Sequence, residues 1–120
     1  LVRILCVDCR EGYPASAEEL QEIGVKPPSN EITLYKAVGC AACNHTGYLG
    51  RMGIFELMMI DDEIRSMVSK NVDSKTIKRA AVGKGMGTLR IDGARKVLSG
   101  TTSVAEVIRA TEEEGAVAQI

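Results

Sequence analysis

The order of apolar and polar residues divides the chain into a first half rich in predicted strands and a second half of predicted helices. Residues 1–5 are apolar except for Arg3 and predict a short strand. Residues 32–37 alternate in polarity and predict a second strand. Residues 53–59 form an almost continuous apolar run, which predicts a strand buried on both faces. We expect residues 1–5 and 53–59 to be neighbouring strands of one larger sheet, which nothing else in the chain completes.

One helix is predicted between the first two strands. Ser16 and Glu19 form a capping box, in which the Ser16 hydroxyl accepts from the backbone and the Glu19 carboxylate reaches back. The helix that follows places Leu20 and Ile23 on one face and ends at a glycine. Two prolines then predict a loop at residues 26–30, because proline cannot continue a helix.

Four short helices are predicted after Asp61, where apolar residues recur every three or four positions. Thr88 caps the third helix, and Ser103 forms a capping box with Glu106 at the start of the fourth. Glycine-rich turns join these helices into a predicted compact bundle. The chain is therefore predicted to be an α+β fold in three segments: a cysteine-containing unit with flanking strands (residues 1–59), a helical C-terminal subdomain (residues 60–111) and a disordered tail (residues 112–120).

Composition narrows the classes of partner. The chain has 120 residues, and only three tyrosines and one phenylalanine are aromatic, so a small aliphatic core needs extra support. Fifteen basic and 16 acidic side chains give a net charge of −1, which argues against a nucleic-acid partner. No apolar run approaches ~18 residues, so we expect no direct insertion into a membrane. The chain opens without methionine and without a signal-peptide pattern, and we expect it to be an excised fragment.

The strongest chemical signal is a pair of C-x-x-C motifs, Cys6–Cys9 and Cys40–Cys43, with residues 10–39 between them. Two residues between cysteines let one tight turn aim both sulfurs at one ion, and two such turns complete a tetrahedron. The spacing predicts a four-thiolate zinc site formed by Cys6, Cys9, Cys40 and Cys43. Because four sulfur ligands leave no position open for water, the zinc is predicted to be structural.

Other uses of these cysteines remain possible from the residues alone. The four thiols can form two disulfides, bind iron–sulfur or another metal, or stay free and buried. A thiol–disulfide oxidoreductase needs an exposed thiolate of low pKa, usually in a βαβ setting, and two matched pairs disfavour it. His45, two residues after Cys43, is a weaker candidate ligand, since four cysteines already fill the site.

Three stretches together resemble a known family. They are L-V-R-I-L-C-x-x-C at residues 1–9, G-C-x-x-C-N-H-T-G-Y-x-G-R-x-G-I-F-E-L at residues 39–57, and G-M-x-T-L with D-G-x-x-K-V-x-x-G-T-T across residues 85–102. The combination resembles the C-terminal part of the type II secretion and type IV pilus assembly traffic ATPases (GspE/PilB-type). The resemblance covers about residues 1–111. The combination of the three stretches is specific for the family, and no single stretch is.

The resemblance implies a fold and a cellular setting. It implies that the tetracysteine unit is inserted between two strands of an incomplete RecA-like sheet in a motor domain. It also implies a hexameric, Mg-ATP-driven parent that is cytoplasmic and peripheral to the inner membrane through its partners. Neighbouring motor subunits and the inner-membrane platform and secretion or pilus machinery are the implied partners, and protein export or pilus assembly is the implied function.

The family's nucleotide-binding motifs are missing from this sequence. The Walker A loop, the Walker B strand and the acidic and histidine boxes precede the first cysteine pair in the family. The resemblance therefore implies four metal ligands here and no catalytic or nucleotide-binding residue, with ATP and Mg²⁺ bound only by the intact parent. The alternative function is a free-standing zinc-ribbon module that binds nucleic acid, which the few basic and aromatic residues between the cysteines disfavour.

Overall fold

A computed structural model of the chain describes residues 1–26 and 30–111, which form two small sheets and five helices. In chain order the elements are β1 (Val2–Leu5), β2 (Glu11–Pro14), α1 (Ala17–Glu22), β3 (Thr33–Lys36), a 3₁₀ turn (Ala41–Cys43), β4 (Tyr48–Met52), α2 (Asp62–Ser69), α3 (Ser74–Gly83), α4 (Leu89–Leu98) and α5 (Val104–Ala110). This mixture of helices and antiparallel strands confirms the predicted α+β class.

The strands form two separate antiparallel pairs. Strand β1 pairs with β4, placing Arg3 opposite Arg51, and β2 pairs with β3, placing Tyr13 opposite Leu34. The chain crosses from the first pair to the second between β1 and β2, and it returns between β3 and β4. Both crossings carry a cysteine pair, so the fold itself brings the two C-x-x-C turns together.

The predicted strand at residues 53–59 is wrong. The strand that pairs with β1 is β4 (Tyr48–Met52), and the chain leaves the sheet at its end. Phe55, Leu57 and Met59 are 73–76% exposed rather than buried on both faces. The apolar run indicated burial, but the described residues offer no further strand for it to pair with.

Residues 53–59 instead contact the start of α4 and the middle of α3. The backbone N–H of Phe55 donates to Asp92 Oδ2 at 2.8 Å, and the Glu56 carboxylate accepts from the Leu89 N–H at 3.3 Å. Glu56 also pairs with Lys78 at 3.5 Å. These contacts connect the segment to α3 and α4 through polar groups, while Ile54 is buried and the side chains of Phe55, Leu57 and Met59 face outward.

Each of the four predicted C-terminal helices is present and begins with a side-chain cap. The caps are Asp61, Asp73, Thr88 and Ser103, and each accepts from the backbone N–H three residues later. A cap of this kind typically contributes about 1 kcal/mol by satisfying one of the open donors at a helix start. Local chemistry therefore fixes where these short helices begin.

The two predicted capping boxes form only half of their pattern. Ser16 and Ser103 accept from the backbone as expected. Glu19 instead accepts from the Tyr13 hydroxyl at 2.7 Å, and Glu106 accepts from Arg3 and Arg109. Both carboxylates bind side chains that the tertiary fold brings close. These contacts replace the hydrogen bond from the N-cap backbone N–H that a complete capping box would contain.

The hydrophobic core lies between the cysteine-containing half and the last two helices. It combines residues of β1, α1, β3, α4 and α5 with Ile23 and Val25 just after α1 and Ile54 just after β4. The full set is Val2, Leu20, Ile23, Val25, Leu34, Ile54, Ala94, Val97, Val104 and Val107. No aromatic side chain belongs to this buried cluster, in agreement with the aliphatic core that the composition predicts.

The hydrophobic core joins the first two predicted segments of the chain. It takes residues from both sides of the predicted boundary at residue 59, so α4 and α5 pack on the cysteine-containing unit rather than away from it. The boundary itself stays a prediction.

The predicted tail at residues 112–120 lies outside the described residues, as does part of the loop predicted at residues 26–30. Within the described residues, no helix is both long and apolar enough to cross a bilayer.

Candidate metal centre

The four predicted ligands converge on one point. The sulfur atoms of Cys6, Cys9, Cys40 and Cys43 all lie within 4.8 Å of one another. The Sγ–Sγ distance is 3.8 Å from Cys6 to Cys40, 3.9 Å from Cys9 to Cys43 and 3.8 Å from Cys40 to Cys43. Each measured pair is far beyond the ~2.05 Å of a disulfide bond. The cysteines are free thiols arranged as a cluster.

The cluster fits a tetrahedral zinc ion. With Zn–S bonds of about 2.3 Å, the corners of a regular tetrahedron lie about 3.8 Å apart. The three measured Sγ–Sγ distances, 3.8, 3.9 and 3.8 Å, match that edge. Thiolate sulfur is a soft ligand that favours zinc over magnesium or calcium. The donor set can therefore hold one metal ion and fits zinc, with all four positions occupied by protein.

Backbone N–H groups around the second cysteine pair point at one sulfur of each pair. Cys43 Sγ accepts from the N–H of Cys40 at 3.3 Å and from the N–H of Gly47 at 3.1 Å. Cys9 Sγ accepts from the N–H of Gly39 at 3.3 Å. Because these donors stabilise negative charge, each of them favours the thiolate form of the sulfur that it contacts.

The two sulfurs with described donors differ in acidity. Burial raises the pKa of the Cys43 thiol, but the N–H groups of Cys40 and Gly47 outweigh it and lower that pKa to about 6. At Cys9, burial prevails over the one donor from Gly39, and the neighbouring thiols add to it, so its pKa rises to about 11. Of these two thiols, Cys43 is the one that loses its proton more readily.

The weaker candidate ligand lies outside the cluster. His45 is exposed in the turn that follows the second pair, where its backbone φ is 63° and its N–H donates to the Cys40 carbonyl at 2.8 Å. The metal-ligating group found within the described residues contains the four cysteines and not this histidine. The structure thus brings the four sulfurs together without the histidine, and their role as metal ligands stays a prediction.

Basic residues near the cysteines are engaged with other partners. Arg3 binds Glu106 at 2.7 Å and stacks on the Tyr48 ring at 4.1 Å, while Lys36 pairs with Glu11 at 3.6 Å. Arg10 donates to a backbone carbonyl in the loop between α4 and α5. These cations lie at the periphery of the site and tie it to its surroundings.

Comparison with known proteins identifies the family to which the chain belongs. The family model described as "Type II/IV secretion system protein" matches residues 1–109 of the chain. The chain belongs to this secretion family. The resemblance carried by the cysteine pairs and the flanking motifs is therefore confirmed.

Individual relatives of the secretion family support the same assignment. The chain is 44% identical over 114 residues to the type II secretion system protein E of Pseudomonas aeruginosa, covering 95% of the chain and 22% of that protein. It is 38% identical over 113 residues to the type II secretion system ATPase E of Vibrio cholerae, covering 94% and 22%. It is 40% identical over 114 residues to the type IV pilus assembly ATPase PilB of Thermus thermophilus, covering 94% and 13%. The chain thus spans less than a quarter of each of these relatives.

Two features of this secretion-family chain were not predicted. The first is the loop between α4 and α5, which contacts the cysteine-bearing half. The second is Glu106, which is 2% exposed and accepts hydrogen bonds from two arginines. The partner of Glu106 in β1 is 103 residues away in sequence, and no local pattern connects positions that far apart.

Gly47 lies beside the metal centre at a position with no space for a side chain. Its φ is +83°, and an added Cβ would lie 2.5 Å from the Cβ of Ala37. We expect Gly47→Ala to displace the N–H that donates to Cys43 and to cost about 1 kcal/mol more than backbone strain alone. Gly50→Ala is the matched control, because Gly50 has a φ of +89° and only Ile4 Cδ1 at 3.6 Å. Thermal unfolding of both variants with bound zinc checks this, and equal losses would contradict it.

Proposed function

We propose that this chain is the zinc-stabilised C-terminal portion of a secretion or pilus-assembly motor ATPase, with structural and protein-contact roles of its own. The observation that carries the proposal is a four-thiol cluster with tetrahedral spacing inside a chain that matches the secretion family over residues 1–109. Zinc is the proposed ion because four sulfur ligands at these distances suit it.

The proposed contribution of the metal is to folding. An ion held by Cys6, Cys9, Cys40 and Cys43 links the two crossings between the strand pairs. These crossings are otherwise connected by few hydrogen bonds, such as that from the Cys6 N–H to the Gly47 carbonyl at 2.9 Å. Because all four metal positions are occupied by protein, the site has no position for a reacting molecule, which favours a structural role over catalysis.

The proposed contact surface is the apolar segment at residues 53–60. Phe55, Leu57, Met59 and Ile60 are 50–76% exposed, and they follow one another along a few residues of chain. Contiguous exposed apolar side chains are typical of surfaces covered by another protein segment. We propose that the remainder of the motor covers this face, since the relatives are more than four times longer than the chain.

The wider setting is also a proposal. The relatives' names include a secretion ATPase and a pilus-assembly ATPase. We infer that the parent protein hydrolyses Mg-ATP as a hexamer at the cytoplasmic side of the inner membrane, and acts with a membrane platform and the secretion or pilus machinery. We prefer this to a nucleic-acid-binding module because the family match and the named relatives all concern secretion or pilus assembly.

The proposal predicts that this chain does not hydrolyse ATP on its own. The purified chain should release phosphate from Mg-ATP only at the background rate, because no residue in it is assigned to nucleotide binding. The full-length Vibrio cholerae ATPase E, assayed in parallel by malachite green, is the positive control. Turnover above background by this chain would contradict the proposed division of roles.

A further inference from the structure

The loop between α4 and α5 lies against the cysteine-bearing half from Gly100 to Ser103. We call residues 100–103 the docking loop. The Gly100 carbonyl accepts from Arg10 Nη1 at 2.6 Å, and the Thr101 carbonyl accepts from the Leu5 N–H at 2.8 Å. The Thr102 hydroxyl donates to the Arg3 carbonyl at 2.7 Å. Each of these residues thus bonds a group in β1 or in the residue that follows the first cysteine pair.

The docking loop also reaches the strand that follows the second cysteine pair. The Ser103 hydroxyl and the Tyr48 hydroxyl are hydrogen bonded at 2.7 Å. Tyr48 begins β4, directly after Gly47, whose N–H donates to Cys43 Sγ. Arg10, at the other end of the loop, directly follows Cys9. The loop therefore bridges two chain segments that the four sulfurs also bridge.

Burial shows that this bridge is a packed contact. Gly100, Thr102 and Ser103 are buried, and Thr102 has no exposed surface. The Arg10 guanidinium stacks on the Tyr35 ring at 4.5 Å and so presents a fixed donor to Gly100. A Cβ added at Gly100, whose φ is +80°, would lie 3.0 Å from Arg10 Nη1 and 3.1 Å from Tyr35 Cδ2. A side chain at this position would have to push the Arg10 guanidinium and the Tyr35 ring back by a few tenths of an ångström.

We propose that the docking loop is a second, metal-free clamp on the cysteine cluster, and that Arg10 and Tyr48 are positioning residues for the metal centre. The clamp and the metal hold the same two segments in the same relative position. Each one therefore lowers the entropic cost of forming the other, and their coupling must be reciprocal. Helices α4 and α5 then dock on the cysteine unit most firmly when the metal is bound. This inference rests on the proposed function, because it takes the cluster to be a metal site.

The coupling is tested by measuring Zn²⁺ affinity in matched glycine variants of the whole chain. Gly100→Ala should weaken Zn²⁺ binding about tenfold, within the range usual for coupled sites. Gly85→Ala is the control, since Gly85 has a φ of +102° and no atom within 4 Å of an added Cβ. It imposes similar backbone strain at the end of α3, and α3 contributes no residue to the core cluster. We expect its affinity to stay within about twofold of the unmodified chain, since it has no contact with the site.

A milder variant and a spectrum complete the test. Tyr48→Phe removes only the hydroxyl that binds Ser103, keeps the ring beneath Arg3, and should weaken Zn²⁺ binding about fivefold, as expected for one lost hydrogen bond. If Gly100→Ala does not fold, the Zn²⁺ affinity of Tyr48→Phe tests the coupling instead. Co²⁺ bound to each variant should keep the absorption of a tetrahedral four-thiolate site, because no ligand has changed.

The possible failures are distinguishable. Equal Zn²⁺ affinities for Gly100→Ala and Gly85→Ala, or an unchanged affinity for Tyr48→Phe, would overturn the clamp while the four-thiolate spectrum left the proposed metal site standing. If the unmodified chain bound neither Zn²⁺ nor Co²⁺, the metal site of the proposed function and the clamp would both be overturned.

Discussion

Cys43→Ala is expected to abolish stoichiometric zinc binding and to leave the first half of the chain unfolded. The side chain is 3% exposed and accepts two backbone N–H groups, so its removal deletes both a ligand and the centre of the turn. Structural zinc contributes on the order of 10 kcal/mol in small zinc-dependent folds. A domain of this size has a total stability of about 5–15 kcal/mol, so few other interactions can offset the loss.

Three measurements check this expectation. Elemental analysis should find one zinc per chain in the unmodified protein and almost none in the variant. Thiol counting should release all four cysteines together when a chelator is added, and circular dichroism should show loss of structure at the same chelator concentration. Val7→Ala is the control, because Val7 is 74% exposed between Cys6 and Cys9 and tests the turn without removing a ligand. A folded, metal-free Cys43→Ala chain with an unchanged unfolding midpoint would contradict a structural metal.

The parts of this fold that sequence predicts well are those governed by neighbours in the chain. The C-x-x-C spacing indicates one tight turn per pair, and the structure has both turns. The caps at Thr88 and Ser103 each need only a backbone N–H three residues later, which the helix itself supplies. Convergence of the two cysteine pairs also follows from chemistry, since four thiols in two matched pairs suit one ion.

The parts that sequence does not predict depend on distant residues. Residues 53–59 have the composition of a buried strand, but burial requires a partner, and composition does not say which segment provides it. Strand β2 was missed because Glu11–Pro14 carries a glycine and a proline, which are unusual in strands, and its pairing with β3 supplies the missing stabilisation. Glu106 fits a capping box in sequence, and only the packing of α5 on β1 reveals its arginine partners.

Glu106→Ala is expected to lower the free energy of unfolding by about 3 kcal/mol. Arg3 donates to Glu106 through its backbone N–H, Nε and Nη2 at 2.7–3.0 Å, and Arg109 donates through two nitrogens at 2.9 and 3.2 Å. Removing the buried carboxylate leaves these donors without their acceptor. This decrease in unfolding free energy is at the low end of the range for breaking a buried ion pair, because both arginine side chains are half-exposed and can be hydrated. Denaturant unfolding in excess zinc measures it, with Glu18→Ala on the exposed face of α1 as the control.

Glu106 also predicts how stability changes with pH. Burial raises the pKa of its carboxyl, but the hydrogen bonds from Arg109 and Arg3 outweigh burial and lower it from 4.5 to about 2. Since the folded pKa lies below the unfolded value, this stabilisation is complete above about pH 5 and declines as the pH falls toward 2. Between pH 7 and pH 4 the unmodified chain should lose about 0.8 kcal/mol through this group.

Glu106→Gln isolates that contribution because it keeps the size of the side chain and cannot ionise. The difference in unfolding free energy between the two proteins should be constant from pH 7 to about pH 5.5 and then shrink by about 0.8 kcal/mol by pH 4. Protonation of the cysteine ligands releases zinc in acid from both proteins, and therefore cancels in the difference as long as both retain the ion. A difference that stays constant down to pH 4 would mean that the carboxylate of Glu106 has an ordinary pKa, and that Arg3 and Arg109 do not hold it in its charged form.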